Sequence, residues 1–309
     1  MPTVNYTTPM KLIKFNKVGM LFKITCKKWY DRDPFRESAV IAYNAIFSLP
    51  GLLIVVVTLA GYFFGAEVVS GHLHNQIAES MGSETANQIQ DMIIAANRSR
   101  DSWWATALGI ATIIVGATGV FVQMQKSLNV IWEVKATVSK SGIRVFLKTR
   151  LFSFGLIMSI AFLLLVSLVL SSLLSALGTW TISRTSESLL ILFQILNFVF
   201  SLAIITVLFA FMFKILPDAN IKWNLVWIGA FFTALLFVIG KSALGLYFGK
   251  ANPGSGYGAA GSVILILLWA SYSSMIVFFG AEFTKAYSDY YYGEVSASEN
   301  AVKQKEIIK

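Results

Sequence analysis

Long apolar runs separated by short polar islands set the pattern of this chain. Six runs stand out: Ser38–Phe64, Trp103–Gln125, Leu151–Leu177, Leu189–Phe213, Trp223–Phe248 and Tyr257–Phe283. Each is long enough for one helical crossing of a bilayer, which takes about 20 apolar residues. None shows the strict alternation of a barrel strand, so helix is the spanning structure that satisfies the backbone in lipid. The pattern predicts an all-α polytopic membrane protein, a bundle of six transmembrane helices.

The connections add detail. Residues 66–102 form a long one in which Ile77, Met81, Ile89, Met92, Ile93 and Ala96 predict two short amphipathic helices broken near Gly82, capping the outer side between spans 1 and 2. The Gly-rich stretch Ala251–Gly261 predicts a tight turn into span 6. Residues 1–37 form a basic segment with large apolar residues among its lysines, expected to lie as a helix on the membrane face. Asp33 and Pro34 mark the start of span 1, as N-cap and first helical residue. The stretch 288–309 is expected to be a polar cytoplasmic tail following the transmembrane domain, 38–287, disordered after Tyr292. No cleavable signal peptide is expected, because the run from Ser38 exceeds a signal h-region.

Composition agrees with a membrane protein: 56% of residues are hydrophobic and 13% charged, about half the charged share of soluble domains. Mean hydropathy is +0.67. The net charge of +9 is concentrated in residues 1–37 and in the 2–3 connection, which holds Lys126, Lys135, Lys140, Arg144, Lys148 and Arg150. The 1–2 connection instead carries Glu67, Glu79, Glu84, Asp91 and Asp101 against Arg98 and Arg100. The positive-inside tendency then places both termini in the cytoplasm. The same charges can meet anionic lipid headgroups. With no aromatic-and-basic platform beside them, nucleic acid is not an expected partner.

Polar groups inside the spans are the candidate chemistry. Asn44, Ser48 and Pro50 predict a kinked, polar stretch in span 1. Gln123, Gln194 and Asn197 add polar groups to spans 2 and 4, suited either to interhelical hydrogen bonds or to a pathway. Lys241 belongs near the outer end of span 5, as a snorkelling lysine or as a cation facing an anionic substrate. Glu282 closes span 6 at the cytoplasmic end, too far from Lys241 to pair. Its expected partners are Arg36, Lys148, Arg150 or Lys214. Cys26 is the sole cysteine, which excludes an intramolecular disulfide. His72 and His74 do not complete a metal site. No cofactor, metal or catalytic constellation is expected.

Several strings carry a resemblance. ESAVIAYNAIFSLPGLL (Glu37–Leu53), LNVIW (Leu128–Trp132), ILPDANIKWNLVWIGA (Ile215–Ala230) and YGAAGSVILILLWASYSSMIVFFGAEF (Tyr257–Phe283) resemble the YihY/BrkB family of bacterial membrane proteins, over about residues 30–287. The resemblance implies six transmembrane helices and an inner-membrane location. It singles out Ala42, Tyr43, Phe47, Ser48, Pro50, Pro217, Trp223, Gly229, Tyr257, Gly258, Trp269, Gly280, Ala281 and Glu282. Asn44 departs from the pattern, which has a second aromatic after Tyr43. The historical family label, ribonuclease BN, sits badly with a chain lacking the His and Asp clusters of a metal nuclease. The expected function is a transporter, exporter or lipid flippase with an anionic or lipid substrate; the alternative is a non-transporting envelope scaffold or assembly factor. Small-residue faces would also permit an oligomer.

Overall fold

The structure, a computed structural model, describes residues 15–47, 65–98, 119–137, 187–251, 253–298 and 301–304. It is mostly helical. Helix α1 is Phe15–Asp31, and α2 covers 34–47. Helices α3 (Ala66–Met81) and α4 (Ser83–Arg98) follow, then α5 over 119–131 and strand β1 (Val134–Ala136). Helices α6 (Glu187–Ile215), α7 (Trp223–Ala251) and α8 (Gly261–Tyr291) come next, and strand β2 is Ala301–Lys303. Among the described residues, three helices are long and apolar enough to cross a membrane, over Phe198–Ile215, Trp223–Ala251 and Val263–Tyr291. Most of the runs expected as spans 1 to 3 lies outside the described residues, with α2 and α5 covering only part of spans 1 and 2.

Helix α7 packs between α6 and α8, and its seam with α8 is built on small residues. A Cβ added to Gly229 of α7 would overlap the side chain of Thr284 in α8, and one added to Gly280 would overlap Thr233. The two Gly-x-x-x-Thr steps therefore interlock reciprocally, which fixes an antiparallel register. Each threonine hydroxyl donates to the glycine carbonyl four residues earlier, at 2.7 Å. Such small-residue steps let helix backbones approach closely where lipid offers no hydrophobic drive. At the far end of the pair the turn is equally tight. A Cβ on Gly261 would press on the Gly254 backbone, across the 3-10 turn Ser255–Ala260.

Helices α3 and α4 break at Gly82, whose φ of 90° suits glycine. They pack on α7 and α8 at this end. Val69, Ile89, Phe248, Leu265 and Ile266 form a buried apolar cluster there.

At the opposite end α8 runs on to Tyr291, eight residues past the boundary read from charge. The helix does not stop at its first charges because they are paired: Glu282 with Arg32, and Lys285 Nζ with Asp289 Oδ2 one turn on, at 2.7 Å. Helix α1 packs across this extension, with Phe22 and Trp29 both against the Phe279 ring. Lys17 sits over the Tyr290 ring, and Trp29 donates its indole N–H to the Met275 carbonyl at 3.2 Å. Leu21 and Thr25 are buried against it, while Val18, Met20 and Phe22 stay exposed.

The tail departs from the expected disorder. Ser298 donates its backbone N–H to the Asp218 carbonyl and Asn220 donates to Ser296, at 3.0 and 2.9 Å. Strand β2 then pairs antiparallel with β1, Val134 opposite Lys303 and Ala136 opposite Ala301. Its composition is polar, but the docking uses backbone hydrogen bonds and small buried residues such as Ala301. Hydropathy does not register either of these.

Candidate functional site

The continuous stretch Gly280–Ser288 of α8 is buried. It carries Glu282 at 1% exposure and Lys285 at 3%, so two charges stand in the interior and need partners. Arg32 supplies the first. It sits in the turn between α1 and α2, where Asp33 adopts a left-handed φ of 52°. That turn brings the guanidinium to 2.5 Å from Glu282 Oε1, through Nε. A second nitrogen reaches Glu133 Oε1 at 3.2 Å, and the third donates to the Val130 carbonyl. The guanidinium thus makes two hydrogen bonds and one charge contact at once, a task for arginine rather than lysine.

Glu133 closes the other side. It lies in the turn from α5 to β1 with φ 54°, also left-handed. Its Oε1 is 3.4 Å from Lys285 Nζ, and its carbonyl accepts from the backbone N–H of Gln304 at 2.9 Å. Burial pushes its carboxyl up, but Lys285, Arg32 and Lys28 outweigh that and hold it below the usual carboxylate range. Lys28 of α1 completes the network, 3.4 Å from Asp289. Lys28, Arg32 and Lys285 thereby balance Glu133, Glu282 and Asp289. Of the two non-glycine residues with positive φ among those described, Glu133 belongs to the network and Asp33 adjoins it. Such conformations persist where surrounding contacts enforce them, and they cluster at functional sites.

Beside this network lies a cavity of about 120 Å³. Trp29, Arg32, Arg36, Glu37, Ser127 and Glu282 line it, with Pro34, Val130, Ile131 and Phe278 as apolar wall. Glu37 Oε2 accepts from Gln123 and Ser127, both at 2.8 Å. Its Oε1 meets Arg36 at 3.3 Å. Glu282 is less well satisfied. Its Oε1 has the charge contact with Arg32 but no hydrogen-bond geometry, and its Oε2 has no hydrogen-bond partner among the described residues. The cavity offers both signs of charge.

The same end holds a second polar lock. Asn129 donates to Asp218 Oδ2 at 2.8 Å and accepts the Asp218 backbone N–H at 2.8 Å. Gln125 adds a contact to the same oxygen at 3.3 Å. LNVIW and ILPDAN, far apart in the chain, meet here.

The expected partners of Glu282 stand elsewhere. Arg36 is 71% exposed and pairs with Asp33 and Glu37. Lys214 donates to the Ile221 carbonyl and lies over the Trp223 ring. Lys148 and Arg150 lie outside the described residues. Arg32 takes the position because the left-handed turn at Asp33 swings it inward and leaves Arg36 on the rim. Gln123 joins the cavity through Glu37. Asn44 donates to the Val40 carbonyl at 2.9 Å and abuts Gly119 across the α2–α5 contact. Ser48, Pro50 and the side chains of Gln194 and Asn197 lie outside the described residues. Lys241 is next to Gly240, whose Cβ position faces Tyr272 and Ile276. That is about 10 residues, or about 15 Å of helix axis, from the level of Glu282. The two do not meet. Arg32, Glu133 and Asp218 were missed as site residues because each sits outside a span. The available signal was a charge next to a motif string: Asp218 within ILPDAN, Glu133 directly after LNVIW.

The strings that converge on this end match known proteins. A UPF0761 membrane protein of Tolumonas auensis is 26% identical over 265 residues, 83% of this chain and 81% of the relative. One of Pseudoalteromonas atlantica is 25% identical, covering 85% and 84%. One of Saccharophagus degradans is 25% identical over 91% of this chain but 62% of its own length. The chain thus spans less than two thirds of some of its curated relatives. No solved structure matches it. The family described as Virulence factor BrkB matches residues 25–305, nearly the whole chain. This chain is therefore a membrane protein of the YihY/BrkB family.

Proposed function

We propose that the chain is a transporter or lipid flippase of the bacterial inner membrane, a bundle of six spans with both termini in the cytoplasm. The observation that carries the reading is the charged cavity of about 120 Å³ beside a buried ion-pair network at one end of a membrane-length helix. Ionisable groups at such a position are costly and mark substrate or ion paths. The basic residues of α1 argue that this end faces the cytoplasm. There the Arg32–Glu282 pair acts as a gate, and α3 with α4 covers the outer end. The substrate is a small anionic or amphiphilic molecule.

The alternative is an envelope scaffold. The close balance of bases and acids around Glu282 supports it, because a lock needs no exchange of partners.

Liposomes containing the purified protein distinguish the two. Efflux of anionic solutes or scrambling of labelled lipid is expected, with altered rates in Glu282→Gln. If no solute or lipid moves, and Glu282→Gln leaves the cellular phenotype intact, the transport reading is lost.

A further inference from the structure

The cavity at the α1–α2 turn has a specific unmet requirement. Its charged walls are almost fully committed to one another. Glu37 spends both oxygens on Arg36, Gln123 and Ser127. Arg32 spends its nitrogens on Glu282, Glu133 and Val130. What remains is Glu282 Oε2, buried and without a hydrogen bond among the described residues. A buried carboxylate oxygen needs a donor, so the innermost group of a ligand here is a cationic N–H. A free anion would instead meet two carboxylates, Glu37 and Glu282.

The rim asks for the opposite charge. Arg36 is 71% exposed, and a guanidinium carries five N–H donors, more than its two carboxylate contacts consume. It stands at the entrance with donors to spare for a phosphate. Exposed Val130 lines the cavity and exposed Phe35 packs on its Trp29, an aromatic and apolar fringe of the kind found at headgroup depth. Trp29, its N–H already given to Met275, has only its ring to offer, and a ring attracts a cation. About 120 Å³ is room for roughly four waters, at about 30 Å³ each, which suits a small headgroup.

We propose that this cavity binds an aminoethyl phosphate group, its primary ammonium donating to Glu282 Oε2 and its phosphate held at the mouth by Arg36. The group is the headgroup of phosphatidylethanolamine or free phosphoethanolamine. This names a ligand class for the site and rests on the transport reading only for what happens to the ligand afterwards.

The test uses the purified full chain in detergent with a lipid series: phosphatidylethanolamine, its N-methyl and N,N-dimethyl forms, phosphatidylcholine and phosphatidylglycerol. Lipid retention is read by native mass spectrometry. Retention is expected to fall stepwise as N–H donors are methylated. Phosphatidylethanolamine should exceed phosphatidylcholine by about tenfold, the weight of one charge-assisted hydrogen bond. Glu282→Gln and Arg36→Gln should each reduce the preference. If Glu282→Gln fails to fold, the methylation series on the native chain and Arg36→Gln still decide. Displacement of bound lipid by excess soluble phosphoethanolamine would show that the free group suffices, and retention against that excess identifies the lipid as ligand. Equal retention of phosphatidylethanolamine and phosphatidylcholine, or of phosphatidylethanolamine and phosphatidylglycerol, overturns the proposal and leaves a cavity filled by water only. Transport without headgroup preference defeats this inference alone. Headgroup preference with nothing transported defeats the transport reading and leaves the site.

Discussion

The two ends of the α7–α8 pair are held together by different means. At the Phe248 end, α3 and α4 bury Val69, Ile89, Leu265 and Ile266 in an apolar cluster. At the Glu282 end, helices, two turns and the tail meet around six charged side chains. Apolar packing tolerates substitutions of similar volume. A buried charge network does not, because removing one member strands another in low dielectric. The Glu282 end therefore has sharply specified partners, while the Phe248 end has a specified volume.

Breaking the network should have the largest effect. Arg32→Ala leaves Glu282 and Glu133 without their shared counter-charge and is expected to cost about 3–5 kcal/mol, read as a loss of thermal stability in detergent. Arg32→Met combined with Glu282→Met should recover much of that loss, since apolar replacement of a buried pair is often close to neutral. If the double variant is no better than Arg32→Ala, the pair is not the source of the penalty.

A smaller effect is expected at the seam joining the two ends. Gly229→Ala forces a methyl group against Thr284 and should cost about 1–3 kcal/mol by overpacking. Adding Thr284→Gly should relieve it, and a double-mutant cycle without coupling would show that the interlock does not set the register.

The smallest effects separate the ends by pH. Glu133 is held below its ordinary value by Lys285, Arg32 and Lys28. A carboxylate with a depressed folded pKa stabilises the fold above its unfolded value, near 4.5. That contribution is lost as pH falls through the lower folded value. Glu133→Gln should thus flatten the acid limb of the stability curve below about pH 5. Ile89→Val, at the other end, should cost about 0.5–1.5 kcal/mol by the same amount at every pH. An acid limb unchanged in Glu133→Gln would remove the carboxylate from the network's energetics.

The same contrast governs what the sequence made legible. The α3–α4 pair and its break at Gly82 could be read directly, since an amphipathic period and a glycine are local signals. The start of α2 at Pro34 was also legible, and the Asp33 carbonyl accepts the first bond of that helix, although from a left-handed conformation. Glu282 stood out as a charge ending an apolar run. Its partner did not, because pairing depends on a left-handed turn at Asp33 and brings together residues 250 positions apart. The strap formed by the tail was invisible for a related reason. Its binding lies in backbone groups and small side chains, which give no hydropathy signal.

That strap has a consequence for how the chain is made. Strand β1 leaves the ribosome long before β2, with roughly 160 residues between them, or about 8–30 s of synthesis at about 5–20 residues per second. Throughout that interval β1 lacks the strand it pairs with and the carbonyl of Glu133 lacks the amide of Gln304. The charged end of the molecule is therefore completed last, after the apolar helices have been synthesised, and any device that delays or captures the tail would hold the protein in an unfinished state.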